Sequence, residues 1–245
     1  MKICVAQTKP VKGDIDANIR DHRKLIEQAV QHGAQLIIFP ELSITGYEPE
    51  LARTLVTHIN DCRFDIFREI SSKNQILIGV GMPLQSEEGI LISTILFEPG
   101  KSARTYSKQY LHADEFPYFK QAKDQQIIID DKDKIALAIC YEISVPEHIE
   151  EARRQNANVY MASVAKSVEG IDKAIPHLAS IASRNSLIVL LSNCVGHCDN
   201  FDCGGRSAIW NGYGQLLGQL DTANEGILIL DTNGNSIFNS QNVGI

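Results

Sequence analysis

The sequence predicts an α/β fold in which two sheets pack face to face with helices outside them. Three observations point there. Strand-like runs alternate with amphipathic helical stretches along most of the chain. The apolar runs are short and unbroken, as in LIIF (36–39) and IALAI (135–139), so both faces of those strands must be covered. A strand–helix order leading into HGAQLIIFPE in the first half is echoed by one leading into QNANVYMASV in the second. The chain has 245 residues and no Pro- or Ser-rich linker, charge block or low-complexity tract, so one domain over 1–245 is expected.

The elements follow in order. Lys2 to Gln7 is Val- and Ile-rich and reads as a strand. Asp14 is an N-cap for a helix from Ile15 to about His32, with Ile15, Ile19, His22, Ile26, Ala29 and Val30 on one face and Gly33 as the stop. QLIIFP is a short buried strand ended by Pro40. Glu50 to Ser72 reads as helix, with Asp61 its weak point. QILIGVGMP and ILISTILFE are strands joined by a turn at Ser86 to Gly89, and KSARTYSK is extended. IALAIC and NVYMASV are strands separated by a helix from Pro146 to Gln155. Asp172 to Asn185 is helical and LIVLLSN is a strand. Paired strands over Arg206–Trp210, Gln215–Gln219 and Gly226–Leu230 close the chain.

Composition removes several functions. The net charge is −7 and the basic residues are scattered among acids, which leaves no groove for a nucleic-acid backbone. No apolar stretch approaches a membrane span. The N-terminus, MKICVAQTKP, is too short and too strand-like for a signal peptide, so a cytoplasmic location with reduced thiols is expected. The six cysteines then need a reading other than disulfides. Cys4 and Cys62 read as core. Cys194, Cys198 and Cys203, with His197 among them, do not match the paired Cys-x2-Cys spacing of structural zinc sites, so the stretch reads as a polar loop without metal.

Three residues stand where chemistry gathers. Cys140 ends an apolar run, and a thiol at its ordinary pKa needs a base to become a nucleophile. His148, the nearest histidine, lies beyond the start of the next helix, which is a poor position for that base. Glu41 follows LIIFP directly, and a carboxylate at a buried strand end has its pKa raised toward the range of a working base. Lys108 follows another extended run. Taken singly, Glu41 also fits an exposed loop acid and Lys108 a solvated lysine.

Together these segments resemble the nitrilase, or carbon–nitrogen hydrolase, superfamily. LIIFPELSITGY resembles the segment of the catalytic glutamate, YSKQYLHADEFPYF that of the catalytic lysine, and LAICYEISVPE that of the nucleophile. NCVG and GGRSAIWNGYGQLL resemble two later landmarks, so the likeness covers nearly the whole chain. The resemblance implies a four-layer α-β-β-α sandwich, pairing through helices into a homodimer or higher homo-oligomer, and no metal or organic cofactor. It implies Glu41 as base, Lys108 as oxyanion partner, Cys140 as nucleophile and Glu115 as a supporting carboxylate, with Tyr47, Tyr141 and Lys166 around a small amide substrate. Glu142 stands where the family usually has Asp, Ser144 where it often has Arg, and Arg184 where it has Glu.

The implied activity is hydrolysis of a small linear or carbamoyl amide, Tyr141 standing where nitrilases proper carry Trp. The alternatives are acyl transfer to an amine and a catalytically silent binding protein on the same scaffold. Without flanking transmembrane helices or a synthetase domain, neither membrane acyl transfer nor a built-in glutaminase is expected.

Overall fold

The computed structural model describes residues 1–123, 128–129, 133–234 and 236–242. It opens with β1 (Lys2–Gln7), α1 (Ile15–Gln31) and β2 (Leu36–Ile38). A stretch holding α2 (Ala52–Leu55) and α3 (Asp65–Asn74) leads to β3 (Leu77–Ser86), β4 (Gly89–Phe97) and β5 (Arg104–Ser107). The second half runs through β6 (Ile128–Ile129), β7 (Lys134–Ile139), α4 (Pro146–Arg154), β8 (Val159–Ser163), α5 (Val168–Asn185) and β9 (Ile188–Ser192). A small hairpin, β10 (Val195–Cys198) and β11 (Phe201–Gly204), precedes β12 (Ala208–Trp210), β13 (Leu216–Gln219), β14 (Gly226–Asp231) and β15 (Ser236–Asn239).

Two large sheets result, in the orders β15-β14-β1-β2-β3-β4-β5 and β13-β12-β9-β8-β7-β6. Strands β1–β2–β3 are parallel, as are β7–β8–β9, which is the echo seen in the sequence. Strand alternation then builds the layers. Ile3, Val5, Leu36 and Ile38 of the first sheet meet Ile135, Leu137, Val159 and Met161 of the second in a central core. Their neighbours Cys4, Ala6 and Ile37 turn outward onto Ile19 and Ile26 of α1 and Phe67 of α3. Ala136, Ala138, Tyr160 and Ala162 pack on Ala152 of α4 and Ile171 and Leu178 of α5. The order is helix, sheet, sheet, helix, as expected.

α1 forms where predicted: Asp14 Oδ1 accepts the Ala17 N–H at 2.9 Å, and Gly33 leaves the helix with φ +74°. Four expectations need correction. The helix drawn over Glu50–Ser72 is two helices, because Val56 turns to ψ 140° and Thr57 bridges to Leu84; Asp61 then caps a fresh start by accepting the Arg63 N–H. Cys62, in that new first turn, is exposed rather than core. Strand Gly226–Asp231 leaves its predecessors and pairs with β1 in the other sheet. The Cys194–Cys203 stretch is not a polar loop but the β10–β11 hairpin, with all three cysteines buried. Among the described residues no helix is long and apolar enough to cross a membrane.

Candidate active site

The site lies where strand ends of both sheets meet. Glu41 follows β2, Lys108 follows β5, Cys140 follows β7 and Lys166 follows β8. Ser192, at the end of β9, stitches this edge together by donating its hydroxyl to Ala6 O at 2.6 Å across the two sheets.

The Glu41 turn is held tightly. A Cβ on Gly81 would lie 2.4 Å from Leu42 N and 2.5 Å from Pro40 O, so only glycine lets the turn rest on β3. Leu42 takes φ +49°. Behind it, Ser43 Oγ accepts the Gly81 N–H at 3.2 Å and faces His22 Nε2 at 2.9 Å. His22 Nδ1 reaches the Asn18 carbonyl at 2.7 Å, which assigns the proton to Nδ1; burial depresses the ring to about 4 and keeps it neutral.

Lys108 is fully buried between two carboxylates. Its Nζ donates to Glu41 Oε1 at 2.7 Å and to Glu115 Oε1 at 2.6 Å. Burial opposes its charge, but Glu41, Cys140 and Glu115 outweigh that and hold it above the ordinary lysine range. Glu115 also accepts the Tyr47 hydroxyl at 3.1 Å and the His112 N–H at 2.8 Å. Glu41 differs: among the described residues its buried Oε2 takes no N–H or O–H donor, and the further group that acts on the carboxylate as a hydrogen-bonding neighbour is the Cys140 thiol. Burial raises its pKa, Lys108 pulls against that, and the balance remains upward.

Cys140 opens a 3-10 turn, Cys140–Ser144, with φ +46°, a sparsely populated conformation for a residue with a side chain. Such outliers persist where surrounding structure over-determines them, and here that structure is Glu142. Its Oε2 accepts the Ile139 N–H at 2.7 Å and the Tyr106 hydroxyl at 2.8 Å, while Oε1 accepts the Gln109 N–H at 2.6 Å. One carboxylate thus pins the Cys140 turn to the chain just after Lys108. Behind it, Tyr106 Oη lies 2.7 Å from His148 Nε2, and Tyr160 Oη lies 2.9 Å from His148 Nδ1. Since the Tyr106 proton goes to Glu142, Nε2 carries the histidine proton. The Cys140 thiol is pushed up to about 11 by burial and by Glu41, against the pull of Lys166 and Lys108, so at rest it is protonated and needs a base.

The structure therefore gathers Glu41, Lys108, Glu115 and Cys140 as one cluster. Tyr47 joins it through Glu115, and half-buried Lys166 acts on Cys140 electrostatically. Tyr141 is 38% exposed and meets His112 edge-on, next in the chain to Cys140. His148 is spent on two tyrosines, consistent with its poor position for a base. Sequence reading missed Glu142 as a strut; its one signal is an acid set inside the apolar run after Cys140. It also missed Asn193, whose Oδ1 accepts the Lys166 N–H at 2.9 Å and whose Nδ2 donates to Gly205 O at 2.8 Å. The polar Ser192–Asn193 pair closing LIVLL is the signal there. Arg184 is exposed on α5, away from these contacts.

The same arrangement of layers is found in solved amidases. The amidase from Nesterenkonia sp. AN1, in a complex with butyramide, aligns with a TM-score of 0.84 at 23% identity, covering 96% of this chain and 92% of that one. Among curated proteins, the glutamine-dependent NAD(+) synthetase of Aquifex aeolicus is 25% identical over 237 residues, covering 93% of this chain and 41% of its own length. The 2-oxoglutaramate amidase of Bacillus subtilis is 24% identical over 211 residues, 84% of this chain and 81% of that protein. The chain thus spans about two fifths of the synthetase but most of the amidase. The family model for carbon–nitrogen hydrolases matches residues 2–237, and the chain belongs to that family.

Proposed function

We propose that the chain hydrolyses small linear amides, carbamoyl amides included, through a thioester on Cys140. The observation that carries this reading is the half-used carboxylate of Glu41. One oxygen is committed to Lys108; the other is buried with no N–H or O–H donor among the described residues, and the carboxylate and the protonated Cys140 thiol act on each other directly.

Glu41 takes the thiol proton as sulfur attacks the amide carbon. Lys108 and the Tyr141 N–H meet the oxygen as it gains charge; such donors are commonly worth about 10²–10³ in rate each. Glu41 then gives its proton to the departing nitrogen, and ammonia or an amine leaves. A water activated by the same carboxylate attacks the thioester, releasing the acid and restoring the thiol. Glu115 keeps Lys108 charged and in place. Tyr47, Tyr141 and Lys166 form the wall the substrate meets.

The names of the relatives support a terminal amide on a short chain as the first substrate to test. A panel of short aliphatic amides, ω-amides of dicarboxylic acids and carbamoyl amines should give ammonia release for at least one member. Cys140→Ser should reduce that release below detection, since a carboxylate cannot ionise an alcohol. Release that survives in Cys140→Ser would end the assignment. Pairing through the outer helices into a cytoplasmic homodimer belongs to the same proposal, and light scattering of the purified chain reads the mass that decides the pairing.

A further inference from the structure

The β10–β11 hairpin carries a second cluster that the reaction above does not use. The sulfur atoms of Cys194, Cys198 and Cys203 all lie within 4.8 Å of one another, and all three side chains are buried. The hairpin explains how three residues spaced so widely in sequence meet. Cys198 and Cys203 point inward from facing strands, while their neighbours His197 and Asp202 form an outward cross-strand pair, Nδ1 to Oδ1 at 3.1 Å. Opposite Cys203 stands Gly196, at φ +81°, which puts no side chain between the thiols.

We propose that these three cysteines form a trigonal thiolate site for a monovalent soft metal ion, with Cu(I) the best fit. The register favours an ion over a disulfide. Cys203 is paired with Gly196, so Cys194 and Cys198 are both its diagonal neighbours, and no two of the cysteines stand directly opposite. Diagonal positions are about 7–8 Å apart in a sheet, beyond the reach of a disulfide without backbone movement. A metal needs less: three sulfurs at a metal–thiolate distance of about 2.3 Å from one centre are about 4.0 Å apart, and the three sulfurs here already lie within 4.8 Å of one another.

The donor set argues for Cu(I) over zinc. Structural zinc takes four ligands, and the local candidate for a fourth, His197, is on the other face and bound to Asp202. Soft thiolate donors suit Cu(I), zinc and iron–sulfur clusters alike, but structural zinc and iron–sulfur sites take four protein ligands, so three thiolates fit Cu(I) best. Binding involves no redox change: Cu–S bonds form, and each bound thiol gives its proton to solvent. The expectation of no metal rested on linear spacing, which the hairpin overrides.

The test uses the full chain with Cys140→Ala, so that the nucleophile does not compete, reduced and handled without oxygen. Cu(I) is supplied in competition with a bicinchoninate chelator. One equivalent should be retained, and X-ray absorption should count three sulfurs and no nitrogen. Cys194→Ser, Cys198→Ser and Cys203→Ser should each lose the competition, while Cys62→Ser, altered at an exposed position, should match its parent. The sulfur count is read on the unmutated hairpin, so it decides the matter even if a serine variant does not fold. Failure to retain copper, two sulfurs instead of three, retention that survives all three substitutions, or preferential zinc with a nitrogen ligand would each overturn the proposal.

Discussion

Glu41 and Glu142 are both buried glutamates within reach of the same lysine strand end, and the contrast between them separates the proposed base from a strut. Glu142 is saturated: backbone N–H groups of Ile139 and Gln109 and the Tyr106 hydroxyl fill its two oxygens. Glu41 is held by Lys108 on one oxygen, while the other takes no N–H or O–H donor among the described residues and stays open to the Cys140 thiol. A saturated carboxylate fixes backbone, because moving it would orphan several donors at about 1–3 kcal/mol each. An open one can accept and return a proton without breaking its anchor. Burial alone does not distinguish them; the count of satisfied lone pairs does.

The largest effect should come from Glu41→Gln. Amide turnover should fall by about 10³–10⁴, the upper range for losing a general acid–base. Capture of Cys140 by a small alkylating agent should persist, because the negative charge that helps hold the thiol up is gone while Lys108 and Lys166 remain. Loss of both activities together would mean that thiolate formation itself depends on Glu41. A smaller effect is expected from Glu115→Gln: turnover down by about 10², as for one weakened electrostatic donor, with alkylation unchanged. Wild-type turnover in that variant would remove Glu115 from the site.

The smallest effect sharpens the strut. Burial raises Glu142 to about 7, above its ordinary 4.5. The folded state therefore holds a proton that the unfolded state has released between those values, and stability falls as pH rises through that window. The slope from one such group is at most about 1.4 kcal/mol per pH unit. Glu142→Gln should flatten that part of the profile in denaturant titrations run across pH 4.5 to 7. Glu41, also raised, leaves some slope behind. An unchanged profile would mean that Glu142 is ionised throughout.

The same contrast shows what could be read in advance. The alternation of apolar runs and helices determines the layers, because strand period and burial are local properties. Glu41, Lys108 and Cys140 were legible as candidates at strand ends, and Glu115 only through the family resemblance, on the loop beyond Lys108. Glu142 as a strut was not, because its partner Tyr106 is 36 residues away and only folding brings them together. The thiol hairpin was hidden for a related reason. Its Asp and Asn residues read as loop, yet the turn needs only Asp199, at φ +48°, to reverse the chain and bury the cysteines. The break after α2 was foreseen near Asp61, but not its extent, since Thr57 leaves the helix to bridge β3.

The central claim, that Glu41 moves the proton to the leaving group while Lys108 and its partner Glu115 serve the oxyanion, is tested most directly by changing the leaving group. A nitrophenyl ester needs no proton to depart, whereas an amide does. In single-turnover acylation, Glu41→Gln should be slowed by about 10³ or more on the amide but by only about 10-fold on the ester of the same acid. Glu115→Gln should slow both alike. Equal losses on amide and ester in Glu41→Gln, with the selective loss appearing in Glu115→Gln, would contradict the account and exchange the roles of the two glutamates.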